Sequence, residues 1–284
     1  MRVLRANIED VLREAAARWT LVTYFFLSTI FIIIFASAIN LDVVDGSLAG
    51  AKLFGQNVHM GHEQVSVEKI VLGFEGGFSG FLGVFCTFLG IFATAHLVPR
   101  LQEKGTIDLY LSRPISRTWL LMSRYIAGLL LAGCNVFYLV GTIWAIVVWK
   151  TGVVHPRFLL GGVVIMFLVA TMLAFAFLVG VITSSTAVSI MATFGVFFFG
   201  LALAGHSRFE ALVSHQWLAD LIAGLYWIFP KTKDLIFAIV GFVSGDQAPG
   251  MIADALAPAP FLTTAAFAIA CLALATWRFQ RKEF

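Results

Sequence analysis

The chain has 284 residues, 60% hydrophobic and 12% charged, with a formal net charge of +3 and a mean hydropathy of +0.93. Soluble domains carry about 25% charged residues, so the composition excludes a soluble enzyme or binding module and points to an integral membrane protein. A barrel would alternate over segments of about ten residues. The apolar runs here are long and continuous, and helices satisfy their own backbone hydrogen bonds in lipid, so an all-α membrane protein is expected.

In chain order, residues 3–18 place Val3, Leu4, Ile8, Val11, Leu12 and Ala15 at helical spacing, with Arg2, Arg5, Glu9, Asp10, Arg13 and Arg18 between them. The pattern predicts an interfacial helix lying on the membrane surface. This stretch is polar and the first apolar run is of spanning length, so no cleavable leader is expected. Six transmembrane helices follow, at about 19–39, 76–98, 119–149, 158–182, 187–204 and 256–277.

Residues 214–243, before the last span, read as two further helices. The first stops at Pro230; the second has Thr232 as its cap and Asp234 near its positive end. Asp220 in the one and the shortness of the other argue against spanning, so a re-entrant or interfacial pair on the outer side is expected. No repeat divides the chain, which reads as one domain, 1–284. Cys86, Cys134 and Cys271 lie in apolar runs and read as small hydrophobes.

Orientation follows from Lys and Arg. The N-terminal tail, the segment 100–117 and the C-terminal tail together hold eleven of the 19. Both termini and the segment 100–117 are therefore expected in the cytoplasm, of a bacterial inner membrane. Trp19, Trp119, Trp149 and Trp277 sit at span ends, where an aromatic belt belongs.

The spans are poor in ionisable groups. Arg124 lies about a turn into the third, His96 near the inner end of the second and Glu75 at its outer mouth; Arg124 and His96 are expected to reach the interface. A proton-coupled carrier or an intramembrane enzyme has little to work with, and the chain holds no P-loop. Energy for directed work must enter from another polypeptide.

The segment 100–117 is the handle for it, with Arg100, Glu103, Lys104, Asp108, Arg113 and Arg117 set between apolar runs. Gly105 is expected to break the extension of the second span and Thr106 to cap a short helix, with Asp108 in its first turn. Pro114 ends that helix and Ser116 caps the next span.

Glu103-Lys104-Gly105-Thr106-Ile107-Asp108, then Leu111-Ser112-Arg113-Pro114-Ile115-Ser116-Arg117, resembles the Glu-x-Gly-Thr…Leu-x-x-Pro-[Ile/Val]-Ser-Arg stretch of ABC-2-type ABC transporter permeases. Tyr110 stands where Leu is common and Arg124 where Lys is usual. The resemblance implies a dimeric, non-catalytic membrane unit, of two copies or of one copy and a related permease. Two cytoplasmic ABC ATPase subunits would bind ATP and Mg, with no cofactor in this chain and no nucleic acid. In the family this loop is the coupling helix, seated in a cleft of the ATPase. By position, Glu103, Gly105 and Thr106 would shape the contact, with Asp108 and Tyr110 in the same segment. Pro114 and Arg117 would fix the exit into the third span, and the surface helix would make a second contact.

The second span carries two stripes. Phe74, Phe78, Phe81, Phe85, Phe88 and Phe92 recur at alternating intervals of four and three, and Gly76, Gly80, Gly83, Thr87, Gly90 and Thr94 do so on the nearly opposite face. The small stripe is a close-packing surface. The Phe stripe, with Phe78, Phe81, Phe85 and Phe88 at its centre, either meets lipid or lines an apolar path at a dimer interface. His59, Met60 and His62 lack a third fixed ligand, so a solvated loop is the better reading and no metal site is expected.

The resulting expectation is the permease subunit of an exporter, moving an apolar or amphipathic substrate out of the cytoplasm or inner leaflet. The alternative is a mechanotransmission module that relays ATP hydrolysis to an extracytoplasmic partner. A channel or carrier without an ATPase is a third reading.

Overall fold

The computed structural model describes residues 20–44, 47–53, 56–58, 67–103, 105, 116–203, 216–245 and 256–282. The expected surface helix 3–18 lies outside them, as do His59, Met60 and His62. So do Thr106, Asp108, Tyr110 and Pro114.

The body is helical. Helix α1 covers Thr20–Ala38, α2 Val67–Thr94, α3 Leu97–Leu101, α4 Arg117–Thr151, α5 Arg157–Thr183, α6 Thr186–Leu203, α7 Gln216–Ile228, α8 Thr232–Ser244 and α9 Pro258–Gln280. Among the described residues five stretches are long and apolar enough to cross a membrane: Val71–Leu101, Arg117–Thr151, Arg157–Thr183, Thr186–Leu203 and Pro258–Gln280; Val22–Ser37 is a shorter apolar helix. The loop after α1, for which no element is expected, carries a three-stranded antiparallel sheet: β1 (Ile39–Val44), β2 (Ser47–Leu53) and β3 (Gln56–Val58). Ile39, Leu41 and Val43 alternate with Asn40 and Asp42, the period of a strand.

Hydrogen bonds between helix ends show how the chain folds back on itself. Lys150, in the last turn of α4, donates to the Ala36 carbonyl near the end of α1, and His155 ahead of α5 meets Glu75 early in α2. At the other end Arg117, which opens α4, donates to the carbonyls of Gln280 and Lys282 past α9, and Gln102 past α3 donates to Gly180 of α5. We call the latter the island end. Successive long helices therefore alternate in direction, and α9 finishes where α4 starts.

Helix α5 is the hub, packed against α2, α3, α4, α6, α8 and α9. Leu168, Val169, Met172, Leu173, Ala174, Ala176 and Phe177 along it are wholly buried. Burying such side chains away from lipid gives no hydrophobic gain, so close packing must hold the bundle. The glycine stripe of α2 supplies it. A Cβ at Gly80 would lie 3.1 Å from Val240 and one at Gly83 would lie 2.6 Å from Ile239, both in α8; one at Gly90 would lie 3.1 Å from Val169 of α5. Helix α8, thirteen residues long, is thus wedged between α2 and α5, with Leu235, Ala238, Ile239 and Val243 fully buried.

Three local expectations are corrected. The second span does not run on to Gly105: the helix breaks at Ala95–His96 and α3 ends at Leu101. Pro99 explains this, because its ring collides with the carbonyl four residues earlier, at Ala95, and it has no N–H to give. Thr232 does not cap α8. Lys231 is the cap residue, without a side-chain cap bond, and the Thr232 hydroxyl donates to the Pro230 carbonyl. Arg124 and His96 do not reach the interface; both are buried in the bundle.

Candidate functional site

The island end gathers four pieces of chain. Helix α3 stops through turns of i−3 type, with the Gln102 N–H on the Pro99 carbonyl and the Glu103 N–H on that of Arg100, each at 3.1 Å. Glu103 is exposed. Gly105 is exposed with φ of 88°, in open space. A side chain there would strain the backbone without meeting a neighbour. On the return, Ser116 caps α4 as expected, its hydroxyl accepting from the Trp119 N–H at 3.3 Å. Arg117 follows, its Nη1 donating to the Gln280 carbonyl at 3.1 Å and the Lys282 carbonyl at 2.7 Å. Of the expected coupling residues, the structure thus places Glu103 and Gly105 on the surface and Arg117 in a tether.

The sequence reading missed the other side of that tether. Gln102 donates through Nε2 to the Gly180 carbonyl at 2.9 Å, and its Oε1 accepts from the Ser184 hydroxyl at 3.0 Å and from Lys282. The Lys282 ammonium also donates to the Val181 carbonyl at 2.9 Å and to the Ser184 Oγ at 2.7 Å. Burial first, and the nearby Arg278 charge second, lower the Lys282 pKa from the ordinary lysine value. The only signal in the sequence was the excess of basic residues in a short tail, which read as orientation alone.

The Phe stripe of α2 is shared between two neighbours. Phe31 of α1 stacks on Phe78, Phe81 and Phe85 at centroid distances of 6.0, 5.9 and 4.4 Å. Phe88 stacks on Phe194 of α6 at 4.3 Å. Phe81 and Phe92 remain 53% and 57% exposed, so the stripe is neither a sealed core nor a plain lipid face. Between α1 and α2 lies an open cavity of about 540 Å³, lined by Thr23, Leu27, Phe85, Phe88 and Phe92 among others. Its walls suit an apolar chain.

Two polar groups at the opposite end, Glu75 and Lys231, are buried, which the sequence reading did not anticipate. Glu75 is 1% exposed; its Oε2 lies 2.7 Å from His155 Nδ1, while Oε1 has no hydrogen-bond partner in the structure. Lys231, in the turn between α7 and α8, is 6% exposed, and its Nζ sits 4.3 Å from the Tyr226 ring centre and 4.2 Å from that of Trp227. Aromatic faces attract a cation where water is scarce. Among the described residues no group of three or more His, Cys, Asp or Glu is placed to hold a metal.

No curated protein matches the chain. A family model described as an ABC-2 family transporter protein matches residues 3–284.

Proposed function

From a chain that belongs to the ABC-2 family of transporter proteins, we propose the permease subunit of an ATP-driven exporter. It moves an apolar or amphipathic substrate out of the cytoplasm or inner leaflet of a bacterial inner membrane. It has six spans, α1, α2 with α3, α4, α5, α6 and α9, with both termini cytoplasmic and α7–α8 as a re-entrant outer pair. Two copies of a separate ABC ATPase bind ATP and Mg, and a second permease completes the unit.

The observation that carries the reading is the island end: Glu103 and Gly105 stand exposed while Gln102 and Arg117 anchor the segment at both roots. Exposed residues beside anchored roots are what a soluble motor needs to push on. The apolar cavity beside Phe85 and Phe88 supports a greasy cargo. The test is reconstitution with a cognate ABC ATPase. Vesicles holding both should hydrolyse ATP faster than the ATPase alone; an unchanged rate contradicts the reading.

The mechanotransmission alternative draws on one observation. Helix α8 is seated on the glycine stripe of α2, so tilting α2 from the cytoplasmic side would move the outer pair without any cargo. ATP-dependent proteolytic exposure of 216–245 in empty vesicles, with no uptake of lipid-like probes, would favour it.

A further inference from the structure

Lys282 lies beyond the last helix, in a tail that would ordinarily be free. It is instead committed to three acceptors at the island end. An ammonium has three N–H donors, and here they meet Gln102 Oε1, the Val181 carbonyl and Ser184 Oγ. All three acceptors are neutral. Val181 is in the last turn of α5, whose final carbonyls lack intrahelical partners and carry the negative end of the helix dipole. Ser184, which closes that helix, sits at φ of 52°, the left-handed region. A cation placed there caps α5 as no residue of α5 does, its last turn holding no basic residue.

The same tail takes the other cation. Arg117 donates to the carbonyls of Gln280 and Lys282, and Gln280 Nε2 donates to the Thr118 hydroxyl. The chain therefore leaves the bundle at Gln102, which is bound to Lys282, and returns at Arg117, which is bound to the backbone of Lys282. Both roots of the segment 103–116 close on one residue. A plain loop would be tethered only to α3 and α4; this one is also tied to α5 and α9.

We propose that Lys282 is a positioning residue of the coupling apparatus, clamping both roots of the segment 103–116 to α5 and α9 so that displacement of the segment reaches those helices. The proposal rests on the reading that this segment docks an ATPase. Helix α5 packs on α8 and α2 as well as on α9, so the clamp joins the docking segment to the hub of the bundle. Without it, the segment moves on flexible roots and the stroke is lost locally.

The experiment uses the full chain in complex with its cognate ABC ATPase, reconstituted in phospholipid vesicles. Lys282→Met removes the three donors and keeps the length; Lys282→Arg keeps the charge and the donors. With Lys282→Met the ATPase should co-purify as with wild type, while stimulation of ATP hydrolysis falls roughly fivefold or more, the low end of a coupling free energy. The difference in hydrogen exchange between ATP-bound and nucleotide-free complex, measured over 176–183 and 272–280, should vanish. Lys282→Arg should restore at least about half of both. Wild-type stimulation together with a wild-type exchange difference in Lys282→Met overturns the clamp alone. Failure of the wild-type chain to hold the ATPase overturns the docking reading and the clamp with it. If Lys282→Met does not elute as a folded protein, Gln102→Met takes its place with the same expected losses, and wild-type behaviour there counts against the proposal equally.

Discussion

Gly200 of α6 shows how a single residue sets the seat of the α7–α8 turn. A Cβ there would lie 2.7 Å from the Pro230 carbonyl oxygen and closer still to the Thr232 hydroxyl. Backbone cannot step aside as a side-chain tip can, so Gly200→Ala should lower stability by roughly 1–3 kcal/mol, the range for overpacking. Gly195→Ala, one helical face away with nothing within 4 Å, should stay within about 0.5 kcal/mol of wild type. Thermal unfolding of the two variants in detergent separates them; equal midpoints contradict the packing account. The pair Glu75–His155 gives a second test at this scale. His155→Ala leaves a buried carboxyl with neither oxygen bonded, an expected cost of roughly 1–3 kcal/mol. Adding Glu75→Leu should recover part of it, because the group left without a partner is then gone. Additive losses in the same unfolding assay would mean the pair is not coupled.

Among elements, those whose cause is local were legible in the sequence. Ser116 caps α4 as its hydroxyl and position require, Pro230 stops α7, and the glycine stripe of α2 receives a helix. The glycine stripe told that a helix would come but not which one. That helix is α8, thirteen residues wedged into the core, and its burial depends on partners far away in sequence. Arg124 and His96 were misjudged for the same reason, since burial of a charged residue is decided by neighbours that spacing does not reveal. The Phe stripe stays divided between α1 and α6, and of its exposed members Phe81 and Phe92 the first is the one to probe. Phe81→Cys should form a cross-linked dimer on oxidation in membranes if the stripe borders the second permease. Met191→Cys, 73% exposed on α6, is the comparison. Cross-linking at 191 and not at 81 would assign the Phe stripe to lipid.

Taken whole, the described part of the molecule is a bundle of helices alternating in direction around α5. The island end holds the exposed Glu103 and Gly105 and the tether through Arg117; the opposite end holds the buried Glu75 pair. Alternation was legible from hydropathy and charge because lipid leaves few choices for apolar runs of that length. The tether of the C-terminal tail was not, because nothing local in Arg278–Lys282 says which carbonyls those cations will find. The central claim is that the segment 103–117 docks a soluble ATPase, and affinity capture tests it most directly. The tagged wild-type chain should bring down an ABC ATPase from detergent extracts. Glu103→Ala and Gly105→Trp should bring down much less while eluting as folded protein. Capture of no ATPase by the wild type, or equal capture by all three, would contradict the account.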